Sequence, residues 1–447
     1  MLGFRYIWID SLCIIQDDTK DWEAEAALMH QYYKLSLLTI AAADASSGED
    51  GLFRDRDRLR NQPCELVIRG LNGSLQTVYA FTNSMSSELK RSGLSDSFKP
   101  FPLYSRAWVL QEQVLSPRIL TYARDRIFWR CQEALFDERA PLAKRIEGFI
   151  SGDKISNIVR MAGDPRSTDA TVAELQQNWI FPAGSAPARA RLSRNIGYHK
   201  EGCFLPEDRF LIDWGDIVQE YTERSMTFQT DKLIAIKGIA NAAAPIVSRD
   251  YFAGLWIDSH RSITMGLLWS SGRKKIGHQR LDIAPSWSWA STPGEVSWPG
   301  HWLCQLECRI RILELKKFET ATRASAELVV ETHLRAGRKV GDNAFAIVDW
   351  PPTQAADASS PRTWPVDRLT TPVILDESLE NTSSIWFAEV AAGKVHVQGD
   401  RKDLHCLVLV ELGNEPTYRR VGYSIWQESI WMNMELPETK KMRLKVV

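Results

Sequence analysis

The chain has 447 residues, carries 55 Lys and Arg against 56 Asp and Glu, and has a formal net charge of −1. A balance that close argues against a protein held on nucleic acid by counterion release or on an anionic membrane by a basic patch. Hydrophobic residues make up 44% and charged residues 25%, the composition of a globular chain with material for a large core, and roughly 150 residues per domain suggests about three domains.

Residues 4–9 (FRYIWI) are aromatic and β-branched and predict a buried strand ending at Asp10. Asp18 or Thr19 is placed to cap a following helix, with Asp21 and Glu23 in its first turn. Trp22, Ala26, Met29 and Tyr33 fall on one apolar face of that helix. SLLTIAAA over 36–43 predicts a second buried strand. Strand, helix and strand in this order form a βαβ unit, so a parallel sheet is expected.

Residues 44–62 are polar and predict a solvated loop. Residues 64–82 suit two strands around a turn at Gly70-Leu71-Asn72-Gly73. YSRAWVLQEQVL over 104–115 predicts a helix that stops near Ser116, because Pro117 disfavours helical backbone before it. Arg118–Ala123 and Ile127–Cys131 predict two strands around a short turn.

From 141 to 204 periodicity is weak, which suggests a linker or irregular insertion. WGDIVQEYTERSM and DKLIAIKGIANAAAPIV predict helices in a mainly helical middle region over 205–300. PSWSWAS at 285–291 reads as a strand with Trp287 and Trp289 on one face. Residues 301–447 carry several strand patterns (CRIRILEL, AELVVETHL, AFAIVDW, KVHVQ, LHCLVLVEL) and predict a β-rich domain, either sandwich or barrel. Within it, Pro- and Ser-rich 351–365 is expected to be disordered.

No apolar run approaches the ~20 residues of a spanning helix. The opening MLGFRYIWID lacks the zones of a secretory signal, so a cytoplasmic location is expected and the seven scattered cysteines read as reduced thiols. Phosphate-loop, GxGxxG, HExxH and GxSxG patterns are absent. His301-x2-Cys304-x3-Cys308 is the one cluster resembling a metal site. On a strand its cysteines stand too far apart to share an ion, so no metal is expected.

Two blocks are more specific. Tyr6-Ile-Trp-Ile-Asp10-Ser-Leu-Cys13-Ile-Ile-Gln16-Asp17-Asp18 leads into a helix with Met29 and Tyr33 and then LLTIAAADAS. Ser105-Arg106-Ala-Trp108-Val-Leu-Gln111-Glu112 is followed by Leu115-Ser-Pro117-Arg118-Ile-Leu and Phe128-Trp129-Arg-Cys131. In order and spacing these blocks resemble the fungal heterokaryon-incompatibility (HET) domain, well over 4–135 and more loosely over 205–298. The chain begins at the second motif of that domain, so an N-terminally shortened module is expected over 1–140. Val109 stands where the family more often has Thr.

HET domains are distantly similar to TIR domains, which are flavodoxin-like α/β signalling modules. The resemblance therefore implies an incomplete flavodoxin- or TIR-like parallel sheet at the N-terminus. It implies non-self recognition and programmed cell-death signalling through a protein partner or self-association. Some TIR domains cleave NAD with a Glu four residues after a Trp on one helix, and Glu112 follows Trp108 by that interval. Carried over, Glu112 would be the catalytic carboxylate, Trp108 and Asp10 would contact the nucleotide, and NAD would be the substrate. A third reading is a shortened member in which both roles are lost.

The residues also admit structural roles. Ala107, Leu110 and Val114 form the core stripe of the Trp108 helix, with Trp108 at its border. Glu112 has Arg106 and Arg118 nearby as partners. Asp10 can satisfy backbone amides of the turn after its strand. An open or packed surface around Trp108 and Glu112 separates these alternatives.

Overall fold

In a computed structural model, the structure describes residues 3–53, 55, 64–69, 73–80, 101–124, 127–131, 134–138, 140–145, 206–247, 249–272, 279–298, 303–320, 323–339, 344–347, 370–377, 379, 384–395, 402–413, 416–427 and 441–447. The expected linker beyond 145, the Pro- and Ser-rich stretch 351–365 and the turn residues 70–72 lie outside them. The chain divides into two compact units. One takes Met1–Arg191, Arg224–Met226 and Gly238–Ile246, and the other takes Leu192–Glu223, Thr227–Lys237 and Val247–Val447.

The first unit departs from expectation at its start. Residues 3–9 belong to no strand, so the predicted βαβ unit does not form. Tyr6 and Ile7 are 93% and 76% exposed. Trp8 is the anchored member, stacked on Tyr32 at 5.0 Å and edge-on to Tyr33 at 5.8 Å. The segment therefore rests on a helix through one indole and makes no ladder. Strand composition records a preference for a pleated, half-buried surface, and it produces a strand only where a partner edge exists.

After a short helix, α1 (Asp10–Cys13), comes α2 (Thr19–Leu35), with Asp18 accepting from the Lys20 and Asp21 amides. Ala26 and Met29 on its apolar face are buried, and Trp22 and Tyr33 are half-buried. β1 (Thr39–Ala42) follows, then the hairpin β2 (Cys64–Arg69) and β3 (Leu75–Ala80), paired as expected with Arg69 opposite Leu75. A 3-10 turn, Pro102–Ser105, opens the next helical segment, so α3 proper spans Trp108–Leu115. It ends at an extended Ser116, as Pro117 requires.

β4 (Ile119–Tyr122), β5 (Ile127–Arg130), β6 (Ala134–Asp137) and β7 (Ala140–Arg145) complete a five-stranded sheet in the order β1-β4-β5-β6-β7. β1 and β4 are parallel, and the later neighbours are antiparallel. The expected parallel sheet is thus realised at one pair. Short turns join β4 to β7, and only antiparallel strands can be joined that tightly.

In the second unit, α4 (Pro206–Thr222) buries Phe210, Trp214, Ile217, Val218 and Tyr221. The helix α5 (Lys232–Val247) follows, and its residues Gly238–Ile246 belong to the first unit. β8 (Tyr251–Phe252) and β9 (Leu255–Trp256) make a hairpin whose two turn residues, Ala253 and Gly254, both have positive φ, at 49° and 89°. Three side chains converge on this turn. Trp214 and Trp289 each donate their indole N–H to the Gly254 carbonyl at 3.1 and 2.9 Å, and Ser288 donates to the Ala253 carbonyl at 2.6 Å.

A Cβ at Gly254 would sit 2.5 Å from Trp289 Nε1 in a backbone conformation that L side chains rarely adopt. Gly254→Ala is expected to cost about 2 kcal/mol or more. Tryptophan-monitored urea unfolding would show it, and an unchanged midpoint would contradict the packing.

α6 (His260–Gly266) and the pair β10 (Ser270–Ser271) and β11 (Val296–Ser297) follow. The predicted strand at 285–291 is instead a series of turns ending in a 3-10 helix at Trp289–Ser291. Its serines cause this. Ser288 accepts from the Ala290 amide at 3.1 Å and Ser291 donates back to the Ser288 carbonyl at 2.7 Å, which curls the chain. Trp287 and Trp289 are nonetheless both fully buried.

The C-terminal strands are β12 (Leu303–Cys308), β13 (Arg311–Glu319), β14 (Ala324–Lys339), β15 (Ala344–Ile347), β16 (Thr370–Leu375), β17 (Ser384–Val395), β18 (Lys402–Glu411), β19 (Thr417–Gln427) and β20 (Lys441–Val446). Their pairings run β14–β17–β18–β19–β16–β15 and return to β14, a closed ring. Of sandwich and barrel, closure selects the barrel, which removes exposed edges. Its core takes alternate residues, including Leu404, Cys406 and Val408 on β18 and Ile385 and Phe387 on β17.

Candidate functional site

α3 carries the two residues singled out by the Trp-x3-Glu spacing. Val109, Leu110, Val114 and Leu115 are buried. Trp108 and Glu112 flank that stripe one turn apart, and both are half-buried. Trp108 packs edge-on against Trp22 of α2 at 6.4 Å. The Tyr33 hydroxyl, also from α2, hydrogen-bonds the Glu112 carboxyl.

Burial moves the Glu112 carboxyl from an ordinary 4.5 to about 7. The Tyr33 hydrogen bond opposes that rise, the negative charge of Asp10 adds to it, and the positive charges of Arg106 and Arg224 oppose it. The Tyr33 phenol is itself raised, by burial first and then by Glu112. A carboxyl held near neutrality can give or take a proton, or when ionised offset developing positive charge.

Asp10 opens α1 and is half-buried. Its Oδ1 accepts from the Ser11 amide at 2.8 Å, and its carbonyl accepts from Gln16 Nε2 at 3.2 Å. Asp10 thus satisfies a turn amide and also lies within electrostatic reach of Glu112. Arg118 does not join this group: its Nη1 donates to the Leu37 carbonyl at 3.4 Å. Arg106 holds its place through the backbone, because its own peptide bridges Ser225 and the Ala107 amide donates to the Ser225 carbonyl at 2.9 Å. Arg224 is held by Gln113 Oε1 at 2.8 Å.

Gln111, fully buried on α3, packs against Gly238. A Cβ there would overlap the Gln111 carboxamide and come within 2.7 Å of the His30 Cβ.

The structure therefore brings Asp10, Trp108 and Glu112 into one neighbourhood and adds Tyr33, Arg106 and Arg224. Tyr33 reads in the sequence as one more apolar helix position. The signal for its second role is a phenol at the end of an otherwise apolar stripe, since a buried hydroxyl needs a partner. Arg224 carries no such signal, because its approach depends on a contact far along the chain.

Among the described residues no group of three or more His, Cys, Asp or Glu gathers as a metal site. His301 and the Cys304 side chain lie outside them. No helix among the described residues is long and apolar enough to cross a membrane.

All of the site residues but Arg224 lie in the stretch that a known family model matches. The family model described as heterokaryon incompatibility protein (HET) matches residues 1–112, which contain Asp10, Tyr33, Arg106, Trp108 and Glu112. No curated protein and no solved structure matches the chain.

Proposed function

We propose that this chain acts in fungal non-self recognition and programmed cell-death signalling, in the cytoplasm, by associating with a protein partner or with itself. The observation that carries this reading is the family match over 1–112 together with the apolar surface inside it. Phe4, Tyr6, Ile7, Leu12 and Ile15 are all exposed. A run of large apolar side chains on one short segment marks an interaction surface more often than a solvated one.

The test is expression of the full chain in a fungal host beside Tyr6→Ser/Ile7→Ser/Leu12→Ser, with cell viability and light-scattering mass as readouts. Death and association are expected from the parent and lost in the triple variant. Unchanged killing by the triple variant would overturn the reading.

The Glu112 environment favours a second reading, NAD cleavage on a TIR-like, flavodoxin-related module. Breaking the nicotinamide–ribose bond leaves an oxocarbenium-like ribosyl cation, which water then captures with release of a proton. Above pH 7 the ionised Glu112 would offset that charge, Asp10 would hold ribose hydroxyls and Trp108 would cover the nucleotide. In the same host, nicotinamide release that disappears in Glu112→Gln supports this reading. Killing without any release leaves association as the mechanism.

A further inference from the structure

A cleft of about 680 Å³ in the second unit lies between the 279–286 segment, the start of β14 and β19, and its wall includes Arg280, Asp282, Ser286, Arg323, Glu377 and Arg419. Its size falls within the range of small-molecule sites. The two carboxylates on the wall are already engaged. Asp282 accepts from Arg323 at 2.7 Å, and Glu377 lies 3.0 Å from Arg419 Nη2 and 3.5 Å from Arg280 Nε. Three guanidinium groups share this wall with those two carboxylates and with Val447, whose carbonyl oxygen accepts from the Ser286 amide at 3.2 Å.

The arginines differ in what they have left to give. Arg280 is spent on the fold, donating to the carbonyls of Ser286 and Arg420 and to Ser291 Oγ. Arg419 and Arg323 keep 40% and 54% of their side chains exposed, and among the described residues each guanidinium meets a single carboxylate through one nitrogen. Arg419 Nε has no hydrogen-bond partner among the described residues. A guanidinium offers five donors, so most of both forks remain unused.

Arg419 is also pre-positioned. Glu377, mostly buried, bridges it to Arg280, and Arg280 is pinned by the backbone contacts above. A fork fixed in place loses little freedom when it meets a planar oxyanion. Leu281, Ala284, Pro285, Ala324 and Ala326 supply an apolar floor.

We infer that this cleft is a binding site for a small organic oxyanion, a carboxylate or phosphate ester with an apolar or ring body, held by Arg419 and Arg323. Carboxylate and phosphate share the fork-accepting geometry, so the probes separate them.

The experiment is calorimetric titration of the full chain with citrate and, separately, with inorganic phosphate at low salt. Saturable binding at a single site is expected for at least one probe, and the probe preferred assigns the class. Arg419→Gln is expected to weaken binding at least tenfold. Arg419→Lys, which keeps the charge and loses the fork, is expected to fall between. Arg443→Gln, an exposed residue on β20, removes the same charge away from the cleft and is expected to change nothing. A matched thermal unfolding midpoint shows that each variant is folded. No saturable heat with either probe overturns the site, as does equal weakening by Arg443→Gln.

Discussion

Arg420→Met is expected to destabilise the second unit by about 3–5 kcal/mol, among the largest single-residue effects in this chain. Arg420 is fully buried on β19. Its Nε meets Asp376 Oδ2 at 2.9 Å, Nη1 donates to the Leu267 carbonyl at 2.9 Å and Nη2 to the Trp269 carbonyl at 2.6 Å. The guanidinium also lies 3.5 Å from the centre of the Trp269 ring. Methionine fills part of the volume and leaves two carbonyls without these donors and a carboxylate buried beside them. Asp376 would keep Ser271 Oγ at 2.9 Å and Arg280 Nη2 at 3.7 Å, which is poor compensation for a lost bidentate-capable cation.

The double variant Arg420→Met/Asp376→Leu removes the stranded charge and is expected to recover about half of the loss. Urea midpoints followed by tryptophan fluorescence measure both. A loss under about 1 kcal/mol in the single variant would show that the network is not what holds β19 against the 267–271 segment.

Glu112→Gln is expected to stabilise the chain at pH 8 by roughly 1–3 kcal/mol and to leave it unchanged at pH 4. The sign follows from the direction of the shift. The carboxyl titrates near 4.5 when unfolded and about 7 when folded, so between those values the folded state binds the extra proton. Stability therefore falls as pH rises from about 4.5 to 7 and is level above. Glutamine mimics the protonated acid and still offers Tyr33 an acceptor, so Glu112's part of the slope should vanish in the variant.

A residue that costs stability at physiological pH is a common mark of a functional site, where a strained charge is kept for its chemistry. Parent and variant unfolding curves that superimpose from pH 4 to 8 would return Glu112 to an ordinary packed role.

Much of the first unit was legible in the chain itself. Asp18 caps α2 because a short acidic side chain reaches the first free amides, and Pro117 ends α3 because its ring clashes with a helical predecessor. Local chemistry of that kind acts over a few residues and needs no partner. The Trp-x3-Glu spacing likewise places Trp108 and Glu112 together on any helix.

Long-range choices were not legible. FRYIWI has strand composition, yet no neighbouring edge takes it up. PSWSWAS has an alternating pattern, yet its serines bond their own backbone and curl it. β16, β19 and β20 were missed: β20 is defined by pairing with β14 far earlier in the chain and β16 by pairing with β19, while β19 also pairs with its chain neighbour β18.

The local elements, the apolar faces and the resemblance that pointed to Glu112 can be read from the order of residues alone. The convergence of Tyr33, Asp10, Arg106 and Arg224 on that carboxyl, and the closure of the C-terminal strands into a ring, arise only in the folded chain. Folding also left the guanidinium forks of Arg323 and Arg419 unspent on the wall of one cleft. Caps and helix faces follow from covalent neighbours. Desolvation, charge proximity and strand closure depend on contacts between residues far apart in the chain, and one sequence with no partner strand in view does not encode them locally.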